Sequence, residues 1–194
     1  VPSLGELVML GKIWFHEQEE DNGEARFDVI IFDAPATGHA RLMLHTPQAM
    51  QTTVPPGPLR ENAKLIQNLL QDRLRTCLHL VTIPEEMPIN EAIELEQAAR
   101  ESLFIHLGTT FINQSIPQLS APALKEIETH CDDANLKALT GVMKNYAALV
   151  EHQNQALLEL PAKIYGNALH LPHILEAKSG RALIETMANR MEEA

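Results

Sequence analysis

The sequence predicts an α/β protein, a mostly parallel sheet flanked by helices, on three observations. Short apolar runs rich in β-branched residues stand at 28–33, 77–83 and 109–113. Each is too short for a helix and too continuous for a strand with one wet face. Amphipathic stretches of helical period lie between them, as at 60–75 and 91–103, and parallel neighbours need crossover connections of this kind. A single α/β domain over 1–194 follows, with a helical subregion at 118–157.

Ser3 is placed to cap a first helix with Leu4, Leu7, Val8, Gly11, Trp14 and Phe15 on its apolar side. The polar run EQEEDNGEAR reads as a loop after it. In FDVIIFDAPATGHARLML, residues 27–44, Val29 to Phe32 suit a strand buried on both faces. Asp33 would close that strand at its carboxyl end, where open α/β sheets bind ligands. Pro35 stops the strand, and Gly38 frees the backbone between the hydroxyl of Thr37 and the imidazole of His39. These are parts that can hold a hydrated Mg²⁺ and sense a phosphate.

Residues 42–50 are helix-compatible despite Pro47, and TTVPPGP is a loop. The helix at 60–75 has Ile66, Leu69, Leu70 and Leu74 on one side. CLHLVTI is a second strand, stopped at Pro84. Asn90 caps the helix 91–103, and a third strand follows near 109–113. Further on, Leu136, Leu139, Met143, Tyr146, Val150, Gln153 and Leu157 alternate at spacings of three and four. This is a seam of the a/d type that only Gln153 interrupts. It reads as one arm of a helical hairpin with 121–132, or as a partner-binding helix. LLELPA reads as a fourth strand, and 180–192 as a terminal amphipathic helix.

The chain has 194 residues, enough for one domain and its core. Aromatics are only 4% of it against 45% hydrophobic residues, so aliphatic side chains must fill that core. The net charge of −11 argues against a nucleic-acid partner, because phosphate backbones select basic surfaces. Cys77 and Cys131 are far apart and read as reduced structural thiols. No run approaches the roughly 18 apolar residues of a membrane span, and a cytoplasmic location is expected. The run His130, Cys131, Asp132 and Asp133 cannot converge on a metal from one helical turn. His170 and His173 lack identifiable co-ligands.

VIIFDAPATGH resembles the Walker B and switch II segment of the anion-transporting ATPases, the family of the arsenite-pump and tail-anchored-protein-targeting ATPases. VTIPEEMPINEAIEL (81–95) and TTFINQSIP (109–117) resemble later segments of that family in the same order. The resemblance implies a P-loop NTPase-type sheet, ATP and Mg²⁺ as cofactors, and an ATPase whose hydrolysis switches a dimer. It implies that Asp33 holds Mg²⁺ through water, and that Gly38, Thr37 and His39 form the γ-phosphate switch. Asn113 would read the adenine through its amide, and Pro161 would pack on the base. A dimer with itself or with a related chain, a protein client and peripheral membrane association are the partners it allows.

No G-x-x-x-x-G-K-[ST] occurs in the sequence, so the cradle for the β- and γ-phosphates is missing. Gly11-Lys12-Ile13 lacks both the glycine-rich lead-in and the hydroxyl. The expectation is the carboxyl-terminal portion of a longer ATPase, inactive by itself; the alternative is a degenerate subunit that scaffolds a partner. The strand at 28–33 would then lack its neighbour and leave backbone groups unpaired. Departures from the family also stand out: there is no Cys-x-x-Cys pair, no trio of thiols for arsenic, and only a short proline-rich stretch at 40–60.

Overall fold

A computed structural model describes residues 4–118, 134–174 and 180–192. It is α/β, with a three-stranded parallel sheet flanked by helices. Its contacts divide the chain into two compact units, Val1–Leu78 with Glu94–Gly108, and His79–Ile93 with Thr109–Ala194.

The first unit is a helical layer. Helix α1 (Leu4–Glu17) buries Leu7 and Leu10 against α2 (Thr37–Thr53) and α3 (Pro58–Gln71). Met43, Met50, Ala63 and Ile66 complete this cluster. Gly11 faces α3, with Ile66 Cδ1 at 3.8 Å from where a β-carbon would sit, an ordinary van der Waals distance. The buried stripe of α1 is rotated from the expected one: Leu4, Val8 and Phe15 are exposed, whereas Leu10 is buried. Pro58 opens α3 at a position whose N–H has no helical partner. That helix ends at Gln71, earlier than expected, which leaves Leu74 exposed.

The polar run after α1 is a hairpin rather than a loop. Strands β1 (Glu20–Asp21) and β2 (Glu24–Ala25) pair antiparallel around Asn22 and Gly23, at φ of 56° and 86°. Asn-Gly is the usual pair for a two-residue turn with both φ positive. Glu19 anchors the hairpin to α1 through His16 at 2.7 Å and Arg26 at 3.2 Å.

The sheet has the order β3-β4-β5, built from Leu78–Thr82, Leu107–Ser115 and Ala168–Pro172. Helix α4 (Glu86–Ala98) and a π-helical turn (Ala99–Leu103) connect β3 to β4. Asn90 lies inside α4 and does not cap it. The helix starts earlier because Pro88 falls in its first turn, where a missing N–H costs no bond. Helix α5 (Ala134–Leu158) carries the seam, in which Val150, Gln153 and Leu157 are buried. The proposed hairpin arm at 121–132, Cys131 and the Ser3 cap lie outside the described residues.

No strand forms at 157–162. That stretch ends α5, turns, and enters the one-turn helix α6 (Ala162–Tyr165), so the helical spacing of the seam runs on into Leu160 and Ile164. The edge strand is β5 instead, paired parallel with β4 from Thr110↔Ala168 to Ser115↔Pro172. Pro172 is tolerated at a sheet edge because it needs no ladder donor on its outer side. Ile89, Ile112, Ala156, Leu157, Leu160 and Ile164 form the core of the second unit. Helix α7 (Arg181–Glu192) buries no residue.

The expected strand at 28–33 is absent. Residues 29–36 have no regular structure and are exposed throughout, Ile31 at 90% and Val29 at 75%. Their backbone groups are left to water, because no neighbouring strand among the described residues offers this run a ladder.

Both Glu17 carboxylate oxygens accept from one guanidinium edge of Arg75, Oε1 from Nε at 2.8 Å and Oε2 from Nη2. The Arg75 hydrogen bond holds the Glu17 carboxyl below its ordinary value. Its contribution to stability is therefore complete above the unfolded value of about 4.3, and is lost as pH falls through the lower folded value. Glu17→Gln is expected to cost under about 1 kcal/mol at pH 7, as part-exposed pairs do. Denaturant melts at pH 7 and below pH 4 should show this difference shrink in acid; a constant difference would count against the pair.

Candidate functional site

Thr37, Gly38 and His39 form the first turn of α2, not a loop before it. Ala36 is the N-cap and offers no side-chain cap; its carbonyl accepts from the N–H of His39 at 2.9 Å and of Ala40 at 3.0 Å. The N–H groups of Thr37 and Gly38 precede those bonds and lie open at the positive end of the helix. Thr37 is half-buried, while Gly38 and His39 are exposed.

Gly38 has neither positive φ nor steric need. A β-carbon there would meet nothing within 4 Å. The backbone freedom expected of Gly38 is thus not used in this structure.

Asp33 stands four residues upstream of Thr37, in the exposed stretch and not at a strand's end. Its carboxylate makes no hydrogen bond or ion pair among the described residues. A solvated carboxylate beside an uncapped helix start has the donor chemistry for a hydrated Mg²⁺ and for phosphate oxygens.

Asn113 and Pro161 belong to the second unit. Asn113 is half-buried near the carboxyl end of β4, at a break in the β4–β5 register between Ile112 and Ser115. Gln114 has a positive φ of 57° there, and its N–H donates to Asn113 Oδ1 at 2.9 Å. Such bulges often re-aim a side chain beside an active site. Pro161 precedes a strand rather than following one, as N-cap of α6. The expected packing of Pro161 on a base from beyond a strand end therefore loses its geometric basis. Its neighbours Leu160 and Ile164 share one core cluster with Ile112, the residue before Asn113.

Two residues that the sequence reading did not assign complete this region. Gln153 is 7% exposed; its Oε1 accepts from Ile116 N–H at 2.7 Å, and its Nε2 donates to the Ile116 carbonyl at 3.1 Å. Tyr146 donates its hydroxyl to the Pro117 carbonyl at 2.7 Å. The signal for Gln153 was its place as the one polar residue in an apolar seam.

The remaining candidates stay dispersed. Cys77 is free and exposed, not a buried strand thiol. His170 lies 3.4 Å from Ser115 Oγ and edge-on to the Tyr165 ring. No group of three His, Cys, Asp or Glu among the described residues is placed to hold a metal. A cleft in the first unit, lined by Arg41, Glu94, Gln97, Ala98, Glu101 and Ser102, contains none of the predicted residues. No helix among the described residues is long and apolar enough to cross a membrane.

No family model matches the chain. ATPase BagA of Mycobacterium tuberculosis (strain ATCC 25618 / H37Rv) is 27% identical over 172 residues, covering 84% of this chain and 50% of BagA. Relatives from Mycobacterium bovis and from Mycobacterium tuberculosis strain CDC 1551 match with the same identity and coverage. The chain spans about half the length of these curated relatives.

Two substitutions test the local geometry. Ile31→Asp is expected to leave the stability of the chain within about 0.5 kcal/mol of wild type, as exposed sites do, and a loss of several kcal/mol would place Ile31 in a core. Gly38→Ala is expected to stabilise the chain by about 0.5 kcal/mol. A destabilised Gly38→Ala would mean that the backbone there needs glycine.

Proposed function

We propose that this chain is the carboxyl-terminal, switch-bearing part of a Mg²⁺-dependent ATPase of the anion-transporting ATPase family, in which ATP hydrolysis switches a dimer. One observation carries the proposal: an apolar, β-branched run at 29–32 stands exposed and unpaired, followed by Asp33 and, four residues after it, by an uncapped helix start at Thr37. Such a run is a strand in search of neighbours. Were this run paired as a strand, it would give the order strand, aspartate, open helix terminus that phosphoryl-transfer sites use. The name ATPase carried by the mycobacterial relative, and its greater length, support the same reading.

In this reading Asp33 would accept hydrogen bonds from metal-bound water, and the open N–H groups of Thr37 and Gly38 would meet a terminal phosphate. His39 and the body of α2 carry the resulting shift away from the site. Mg²⁺, when bound, supplies neutralisation of charge on the phosphate oxygens. Asn113 offers the acceptor and donor of its amide to the adenine edge. Most of the rate acceleration comes from a phosphate cradle that this sequence does not contain.

The isolated chain is expected to show no Mg²⁺-dependent ATP turnover. The complete natural gene product, carrying a G-x-x-x-x-G-K-[ST] segment, should turn over ATP, and Asp33→Ala should lower its kcat by roughly a hundredfold, as misplacement in a reacting site does. Turnover by the chain alone would overturn the proposal. A gene product without that segment would favour the scaffold reading.

A further inference from the structure

The buried carboxamide of Gln153 is an unusual component of a helical seam. A polar group sealed from water at 7% exposure has to be fully bonded to be tolerated. Gln153 meets that demand by bonding both the N–H and the C=O of Ile116. Its side chain behaves there as one peptide unit of an added strand. Tyr146, seven residues earlier on the same face of α5, holds the next carbonyl, that of Pro117. Two side chains of one helix thus grip the chain just beyond β4.

This grip has a consequence three residues upstream. The register with β5 breaks between Ile112 and Ser115, Gln114 is turned to a φ of 57°, and its N–H is delivered to Asn113 Oδ1. Left-handed backbone at a residue other than glycine costs on the order of 1 kcal/mol and persists only where its surroundings hold it. On the far side, Ser115 Oγ donates to the Ile112 carbonyl at 3.2 Å, and the His173 N–H donates to the Ser115 carbonyl at 2.9 Å. The bulge is therefore fixed from both ends.

A carboxamide that turns freely serves two purine edges. With Oδ1 toward an exocyclic amine and Nδ2 toward a ring nitrogen it suits adenine. Flipped, Nδ2 donates to the guanine carbonyl while Oδ1 accepts from the guanine ring N–H. The Gln114 N–H can bond only the oxygen end, so it removes the flipped state.

We infer that Gln153 and Tyr146 are positioning residues for purine selectivity, holding the β4 bulge so that Gln114 locks the Asn113 amide in its adenine-reading orientation. This rests on the adenine role proposed above for Asn113. The residues contact no ligand themselves, and their effect reaches the base through the backbone of 114–117.

The test is titration of the chain with AMP and with GMP, read from the NMR resonances of the Asn113 side-chain amide and the Gln114 backbone amide. Monophosphates are chosen because base reading needs no phosphate cradle. Wild type should prefer AMP. Gln153→Met, which keeps volume and removes both bonds, should cut the AMP-to-GMP affinity ratio by about tenfold, the worth of one well-placed hydrogen bond. Tyr146→Phe, which removes only a hydroxyl and secures the test should Gln153→Met fail to fold, should cut the ratio by about threefold. A ratio unchanged in a folded variant overturns the positioning role while leaving the adenine site standing. An equal loss of AMP and GMP binding, with the ratio preserved, also overturns it and marks Gln153 as purely structural. Wild-type resonances unmoved by either nucleotide overturn the adenine reading itself and the inference with it.

Discussion

Every backbone N–H and C=O withdrawn from water must find a hydrogen-bond partner, and that constraint decides which β-prone stretches of this chain are strands. Residues 78–82, 107–115 and 168–172 satisfy it through one another. Where the β4–β5 register breaks, the Asn113 carboxamide takes the Gln114 N–H, and just beyond β4 the Gln153 carboxamide takes both backbone groups of Ile116. Residues 29–32 have the composition of a strand but no ladder, and they stay in water. A single rule covers the sheet, its improvised end and the strand that does not form.

The same rule links the structure to the proposed chemistry. The open N–H groups at the start of α2 are tolerated because they face solvent, and a phosphate would satisfy them better than water by bringing charge as well. Asp33, free of any ion pair among the described residues, is likewise a group whose partner is water. These features cost the fold little while solvated. In the proposed reading they would acquire a role once a charged ligand and neighbouring strands enclosed them.

Much of the fold was legible in the sequence because local pattern decided it. The period of Ile66, Leu69 and Leu70 marked α3, and the alternating spacing of Met143, Tyr146, Val150, Gln153 and Leu157 marked the buried face of α5. Asn22-Gly23 marked a hairpin that a reading weighted toward charge took for a loop. The stretch 157–162, expected as a strand, instead ends α5 and turns into α6, with Leu157, Leu160 and Ile164 in one core cluster, and the short run Ala168–Pro172 became β5 through its pairing with β4. Strand 28–33 could not be judged locally, because membership of a sheet depends on neighbours. At the candidate site, residue types were readable but placements were not: Thr37–His39 moved onto a helix, Pro161 moved in front of a strand, and the bulge at Asn113 has no signature in its own residues.

The proposal above requires that 28–33 be a buried strand in the natural protein it places this chain in. Amide hydrogen exchange across these residues, measured on that protein and on the 194-residue chain under identical conditions, tests it most directly. The account predicts exchange at near-unfolded rates in the chain alone and strong protection in the natural protein. Equal, rapid exchange in both would contradict it, because the apolar run would then have no strand to become.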